Sequence, residues 1–326
     1  MGDTNYPRAR VTGFSDGQLL FVSIDGAERA APISDVRLIY VDSVSGFADF
    51  NEAEKLVGEG LAAQALARYE RSWRLGKRFW PDLIATRLLA ACDKAERIDR
   101  ATLNFIRVAR GKHSGPKSAA MLIPQAIPKK RTPEAVRAVE QLDAALRKVG
   151  NDSEEALYRL LRYGILTRMG SDRTDEDARV VAGMRIPAPV RSGRAYEIQL
   201  SAMERAFTEP TGAALSGLDR AIEDCPDEQL ADFLLLKGRL LLNSAETREE
   251  IIRASWPFLR VTIHMPGDPR GAEGLLGAAT ALERLGQPVK AVQLLEECLA
   301  HPSVGSEVRS EAEAAMKRLT AESAGS

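Results

Sequence analysis

The sequence predicts a mainly α protein, a solenoid of helical hairpins that follows a small antiparallel β module. Three observations predict this fold class. Apolar residues recur at helical spacing on both sides of a Gly-Pro turn in residues 272–302. Hydrophobic residues make up 44% of the chain but aromatic residues only 6%, a composition that suits helices packed closely through Ala and Leu. Residues 8–42 instead combine β-prone segments with Asp-Gly turns.

We expect the β module to comprise residues 1–45. Its β-prone segments read ARVTGF, QLLFVSI, ERAAPI and VRLIYVD, and turn residues separate them. Asp-Gly favours a hairpin because glycine adopts the positive φ that such a turn requires. These features predict a meander of three or four strands, SH3-like or Sm-like in appearance. About 35 residues are too few to support their own core, so the sheet should pack on the first helices or pair with another chain.

From residue 49 the apolar period becomes helical. We expect a first part of the helical array over residues 49–182 and a second part over residues 194–305. The segment GMRIPAPVRSG, residues 183–193, is typical of a loop and should connect the two parts. Residues 306–320 carry apolar residues on one helical face and charges on the other, which predicts a terminal helix that caps the array.

A small residue followed four positions later by a large one recurs along the array. The small residues stand at positions 65, 101, 135, 178, 214, 254 and 291, at intervals of 34–43 residues. The clearest members are Ala65 with Tyr69, Ala101 with Phe105, Ala214 with Leu218, Ala221 and Pro226, Ala254 with Phe258 and Pro266, and Ala291 with Leu295. We expect these residues to pack the helices of each hairpin together.

This recurrence resembles that of the tetratricopeptide-repeat (TPR) family, whose period is 34 residues. The resemblance covers about residues 49–302, although the family's Trp and Gly positions in the first helix of each repeat are mostly absent. It implies stacked helical hairpins whose first helices line a concave surface that binds other proteins.

Proline interrupts the repeat pattern in two places. Pro116, Pro124 and Pro128 predict a short or broken first helix in the third repeat. Pro257 falls inside an expected helix, and it should either kink that helix or delay its start.

Two groups of residues are candidates for partner binding. A stretch without Asp or Glu contains seven cations: Arg107, Arg110, Lys112, Lys117, Lys129, Lys130 and Arg131. It could form a patch for an acidic partner such as RNA or anionic lipid, or it could be a solvated loop. Trp73 and Trp80 could form a peptide-binding hot spot, or they could fill the junction between the β module and the first repeats.

Composition narrows the remaining function classes. The formal net charge is −1, so no overall field draws the protein to nucleic acid or membrane. Three widely spaced cysteines without a CxxC pair predict core residues rather than disulfides. No apolar run reaches the roughly 18–20 residues of a membrane span. Because the first residues carry no hydrophobic signal segment, we expect a cytoplasmic protein, or a periplasmic or exported one if a signal has been removed.

The motifs of common enzymes are missing from the sequence. His113, His264 and His301 lie far apart, and we find no phosphate-binding loop, GxSxG or HExxH. The sequence therefore predicts no catalytic, cofactor-binding or metal-binding residues. We expect a non-enzymatic scaffold or adaptor that binds other proteins. Two alternatives are a nucleic-acid-associated protein that uses the β module and residues 107–131, and an accessory subunit of an envelope or secreted complex.

Overall fold

A computed structural model describes residues 6–41, 47–73, 78–186 and 193–324. These residues form one three-stranded sheet followed by fifteen α-helices, which confirms the predicted mainly α fold with a small N-terminal antiparallel β module. The strands are β1 (Arg10–Ser15), β2 (Gln18–Val22) and β3 (Glu28–Pro32). The helices are α1 (Ala48–Gly58), α2 (Ala62–Trp73), α3 (Trp80–Lys94), α4 (Ile98–Arg110), α5 (Gly115–Met121), α6 (Pro133–Leu146), α7 (Asp152–Arg168), α8 (Asp175–Gly183), α9 (Gly193–Ala206), α10 (Gly212–Asp224), α11 (Asp227–Ser244), α12 (Arg248–His264), α13 (Gly271–Arg284), α14 (Pro288–Ala300) and α15 (Ser306–Ala324).

The chain divides into two compact units. The first unit is Met1–Val181 with Ile186–Ile198, and the second is Ala182–Arg185 with Gln199–Ser326. The predicted connecting loop, residues 183–193, falls where α8 ends and α9 begins. Its residues 187–192 lie outside the described part of the chain.

The sheet of the first unit is an antiparallel meander in the order β1-β2-β3. Its first turn places Asp16 at φ 50° and Gly17 at φ 76°, and two successive residues with positive φ are the signature of a type I′ hairpin. β1 and β3 are not neighbours, so the described strands form an open sheet and do not close into a barrel.

The fourth strand that VRLIYVD predicts does not form in its described residues, 36–41. Side chains of α1 take the place of a neighbouring strand. The backbone N–H of Ile39 donates to the carboxylate of Glu54 at 2.9 Å. The N–H and carbonyl of Val41 both bond to the side-chain amide of Asn51, at 2.9 and 2.8 Å. Because these side chains satisfy the backbone, the segment stays extended without pairing to the sheet.

A buried ion pair ties this segment to α1 and α3. Glu54 is fully buried, and Arg87 binds its two carboxylate oxygens through Nε and Nη2, both at 2.8 Å. The same guanidinium donates to the backbone carbonyls of Val36 at 2.6 Å and Arg37 at 2.9 Å. Burial lowers the pKa of Arg87, but the adjacent Glu54 carboxylate outweighs it, and the net effect is a raised pKa. The hydroxyl of Tyr69 also donates to Glu54, and burial together with this carboxylate raises the pKa of Tyr69.

The small positions of the repeat pattern all fall in even-numbered helices, and four of these, α2, α4, α12 and α14, pack against the preceding helix as the second helix of a hairpin. Positions 65, 101, 135, 178, 214, 254 and 291 lie in α2, α4, α6, α8, α10, α12 and α14, and each is an alanine no more than 2% exposed. Their large partners Tyr69, Phe105, Leu218, Phe258 and Leu295 are also buried. Ala221 is 5% exposed. Pro226 caps the start of α11, and Pro266 lies in the turn after α12.

Helices of the second unit pack in the manner of stacked hairpins. α11 contacts α12, α12 contacts α13, and α13 contacts α14. The first helices of successive hairpins also touch, since α11 contacts α13 and α13 contacts the last helix, α15. The buried side chains at these crossings are mostly Ala and Leu, as in the cluster around Ala291, Leu295 and Ala312.

Proline acts differently in the two irregular regions. α5 has only seven residues, as the prolines in its region predict. Pro257 does not delay the start of its helix, which was one of the two predicted alternatives: α12 runs from Arg248 to His264 with Pro257 buried inside. Pro257 has no N–H, so it cannot donate to the carbonyl of Arg253 four residues earlier, and α12 continues with one hydrogen bond fewer.

A test of the α1–α2 hairpin follows from Asp49. Its carboxylate accepts hydrogen bonds from Arg71 at 2.9 and 3.0 Å and from Arg68 at 2.8 Å. These bonds, chiefly those from Arg71, lower the pKa of Asp49 from its usual 3.8 to about 2. A carboxylate with a depressed pKa stabilises the folded state above its unfolded pKa, and this contribution is lost as the pH falls toward the folded pKa.

We therefore expect Asp49→Asn to lower the free energy of unfolding at pH 7, and the difference from the parent to shrink between about pH 4 and pH 2. Urea unfolding at a series of pH values measures it. Asp152→Asn is the matched control, since Asp152 also lies in the first turn of a helix but makes no ion pair within the described chain. A difference that stays constant with pH would contradict the prediction.

Candidate protein-binding surface

The basic stretch does not form one free patch. Arg110 donates to the carbonyls of Ala145 at 3.0 Å and Lys148 at 3.3 Å, and its guanidinium lies 5.7 Å from the ring centre of Tyr158. Lys117 pairs with Asp16 at 3.7 Å. Lys112, Lys129, Lys130 and Arg131 are exposed and form no ion pair with any described residue. Arg110 thus joins α4 to the end of α6, and the exposed cations remain in the segments that flank α5.

The two tryptophans proposed as a hot spot are engaged in packing. Arg107 stacks on Trp73, with its guanidinium carbon 4.8 Å from the ring centre. Trp80 lies against Phe47 at 4.6 Å and Phe79 at 5.2 Å between ring centres. Both tryptophans are partly buried. Trp80 therefore packs α3 against the start of α1, and the contact of Trp73 is with α4, so both described contacts are with helices.

A different tryptophan is far more exposed. Trp256 on α12 has 64% of its surface accessible, and Ile252 and Ile263 on the same helix have 38% and 66%. The spacing of these residues is four and seven positions, so they lie within roughly 40° of one another around the helix. We call these three residues the α12 stripe. Sequence reasoning missed it, although the signal was present: α12 carries two apolar faces, and a helix at the surface normally buries only one.

The opposite face of α12 fixes the direction of the stripe. Phe258, 2% exposed, fits between α11 and α13 at points where both neighbours carry glycine. A Cβ at Gly277 would lie 2.5 Å from Cε1 of Phe258, and a Cβ at Gly238 would lie 2.7 Å from its Cζ. A larger residue at either point would exclude the ring. Because Phe258 is locked in this way, the stripe is held facing away from α11 and α13.

The start of α12 is also well defined. Thr247 and Glu250 form a capping box, in which the Thr247 hydroxyl accepts from the N–H of Glu250 at 3.2 Å and Glu250 accepts from the N–H of Thr247 at 2.9 Å. Such a box satisfies two helix-end donors that would otherwise lack partners. The stripe therefore belongs to a helix that is anchored at its first turn and along its buried face.

Cations flank the stripe, three along one edge and Arg248 on the other side, roughly 40° from Ile252. Arg260, Arg253 and His264 are exposed and follow the stripe at roughly 80–120° around the helix from Ile252. None of the three forms an ion pair with a residue in the described part of the chain. Arg253 acts on Glu250 only at a distance, as a minor cause of the lowered pKa of that carboxyl group.

An open depression of about 530 Å³ adjoins this cationic edge. Arg260, His264 and Met265 line it from the end of α12, and Asp227 and Leu230 line it from the start of α11. The apolar stripe, the cations and the depression are thus continuous along the outer side of one hairpin.

The first helices of the hairpins present charges that already neutralise one another. Arg239 on α11 pairs with Glu204 on α9 at 3.2 Å and with Glu273 on α13 at 3.7 Å. All three side chains are between 41% and 49% exposed. The TPR resemblance assigns binding to the face formed by these first helices. On α9, α11 and α13, Glu204, Arg239 and Glu273 of this face form ion pairs with one another.

The cysteines show no sign of activation. Burial raises the pKa of Cys92 to about 12 and that of Cys225 to about 11, and it also raises that of Cys298. Among the described residues no group of His, Cys, Asp or Glu is placed to hold a metal ion. No described helix is both long and apolar enough to cross a membrane.

Comparison with known protein families found no family model that matches this chain, and comparison with curated proteins found no similar sequence. The function is therefore inferred from the residues of the surface.

Proposed function

We propose that this protein is a non-enzymatic scaffold or adaptor, built on TPR-like hairpins, that binds another protein through the α12 stripe. The exposure of Trp256 together with Ile252 and Ile263 on one rigid helix carries this proposal. Apolar surface that stays in contact with water is an unrealised source of binding free energy, and clustered exposed apolar side chains mark interaction sites.

Two further features favour binding through this surface. Tryptophan is enriched among the residues that dominate binding energy, because it presents a large apolar area with few rotatable bonds. A helix that is already ordered pays little conformational entropy on association. The proposed TPR-like architecture is favoured by two observations: all seven small anchor positions are buried alanines in helices, and four of these helices pack against the helix before them.

The test is affinity capture with the full chain and with the triple variant Ile252→Ala/Trp256→Ala/Ile263→Ala. We expect a protein that the parent recovers reproducibly from an extract of its own organism to be depleted at least about tenfold with the variant, as truncation of hot-spot residues costs more than about 1 kcal/mol each. Val289→Ala is the matched control, since Val289 is an exposed apolar residue of the same unit, 70% accessible, outside the stripe.

The stripe side chains are exposed, so the triple variant should unfold at nearly the same urea concentration as the parent, with about 0.5 kcal/mol of change per site at most. Equal recovery of every captured protein by the parent and a folded triple variant would contradict the proposed function.

A further inference from the structure

The stripe is apolar and cations flank it, and this combination identifies a class of partner. Its apolar residues repeat at intervals of four and seven, which is the spacing at which two crossing helices interlock their side chains. Arg253, Arg260 and His264 lie on one side of this apolar row, and the exposed Arg248 lies on the other, roughly 40° from Ile252. Buried without counter-charges, these cations would oppose binding, so a partner must either leave them in water or supply carboxylates to them.

We infer that the α12 stripe binds an acidic amphipathic helix of another protein, with apolar residues against Ile252, Trp256 and Ile263 and carboxylates along the edge of Arg253 and Arg260. This inference rests on the proposed function and specifies its partner. The stripe advances eleven positions from Ile252 to Ile263, a distance of about 16 Å along the helix axis, which three turns of a partner helix would cover. The depression beside His264 can accommodate side chains at the end of that helix.

A second copy of this chain suits the surface less well. The exposed carboxylates on α12 are Glu249 and Glu250, and Glu250 is already bonded within the capping box. Two stripes packed together would therefore bring four exposed cations from each copy to the interface but only one free carboxylate. The charges favour a partner of opposite sign.

An anionic membrane also suits the α12 stripe less well than an acidic helix does. Glu249 lies between the stripe and its cations, at roughly 60° from Ile252 around the helix, where it would face the lipid headgroups. Asp227 faces the depression beside the cations. Both carboxylates would repel an anionic surface, whereas a helix can place its carboxylates next to the cations alone.

The test uses three synthetic helical peptides that differ only in charge. Each peptide is stapled and carries three Leu residues, the second four positions and the third eleven positions after the first. The residues that flank each Leu are Glu in the first peptide, Gln in the second and Lys in the third. Binding is followed by the fluorescence of Trp256, which should shift to shorter wavelength as the ring leaves water. The variant Trp256→Phe identifies the signal, because Trp73 and Trp80 also fluoresce.

We expect the Glu peptide to bind about tenfold more tightly than the Gln peptide at low salt, and the Lys peptide to bind more weakly than either. The preference for the Glu peptide should fall as the salt concentration rises, since Arg253 and Arg260 are exposed and their charges are screened. Arg253→Gln/Arg260→Gln should abolish the preference while leaving the affinity for the Gln peptide unchanged.

Lys290→Gln/Arg309→Gln is the matched control. It removes the same net charge as the stripe double variant. The two cations are exposed, lie away from the stripe and form no ion pair in the described part of the second unit, so the variant should retain the preference for the Glu peptide.

Several outcomes would overturn the inference. Equal binding of the Glu and Gln peptides, both lost in the stripe variant, would leave the proposed function intact but remove the acidic partner. Binding of vesicles containing 30% phosphatidylserine in place of the peptide would identify a membrane surface. Self-association that Trp256→Ala abolishes, without peptide binding, would identify a second copy. Failure of all three peptides would also refute the inferred partner, while the proposed function would still be judged by the capture experiment.

Discussion

Replacement of Glu54 by alanine is expected to destabilise the first unit by about 3–5 kcal/mol, the typical cost of removing one member of a buried ion pair. The Glu54 side chain is fully buried, with 0% exposure, and the Arg87 side chain is 9% exposed. Loss of the carboxylate leaves a buried guanidinium without its counter-charge. It also removes the acceptor for the Tyr69 hydroxyl and for the backbone N–H of Ile39.

The measurement is urea unfolding followed by tryptophan fluorescence in a Trp256→Phe background. The remaining tryptophans, Trp73 and Trp80, both belong to the first unit, so the signal reports that unit alone. Glu70→Ala is the matched control. Glu70 pairs with Arg100 at 3.5 Å, but both side chains are more than 40% exposed, and exposed pairs typically contribute less than about 1 kcal/mol.

A second variant separates the ion pair from its backbone contacts. Glu54→Leu/Arg87→Met removes both charges, so we expect it to be more stable than Glu54→Ala, where the guanidinium stays behind. It should remain less stable than the parent, because the carbonyls of Val36 and Arg37 lose their donor. If Glu54→Ala unfolded at the same urea concentration as Glu70→Ala, the network would not be what holds residues 36–41 to the helices.

Gly277→Ala in α13 is expected to destabilise the second unit by about 1–3 kcal/mol, the usual cost of overpacking a core. The same change in the interior of an ordinary helix stabilises a protein by up to about 1 kcal/mol, since alanine has the higher helix propensity. The sign should reverse here because the new methyl group would overlap the ring of Phe258, which is buried and has no free space to move into.

Thermal unfolding followed by circular dichroism, with hydrogen exchange of α11 to α13, tests this reversal. Gly212→Ala is the control, since Gly212 begins α10 in the same unit and a Cβ there meets no atom within 4 Å. In a Phe258→Leu background the smaller side chain should relieve the overlap, so the penalty of Gly277→Ala should shrink. A higher melting temperature for Gly277→Ala alone would show that Phe258 does not fill this gap as described.

This second prediction also concerns the binding surface. Phe258 sets the rotation of α12, and a shift of its ring would turn Ile252, Trp256 and Ile263 relative to their surroundings. Gly277→Ala should therefore weaken binding at the stripe without altering any stripe residue. This effect is expected because Phe258 and the stripe lie on opposite faces of α12.

Local patterns in the sequence determined much of the architecture. The small residue followed by a large one located every even-numbered helix from α2 to α14, because a helix crossing needs a small side chain at a regular interval. Asp16-Gly17 located the first hairpin of the sheet, because its turn needs two residues with positive φ. The assignment of these hairpins to the TPR family stays a prediction.

Only the tertiary structure decided the remaining points, because each depends on residues far apart in the chain. Residues 36–41 look like a strand, but Glu54 and Arg87, one of them about fifty residues away, satisfy their backbone instead. Pro257 continues a helix because tertiary packing outweighs one lost hydrogen bond. In α12 the sequence offers two apolar faces. The glycines of α11 and α13 admit Phe258, so its face is buried and the face of Trp256 stays exposed to solvent.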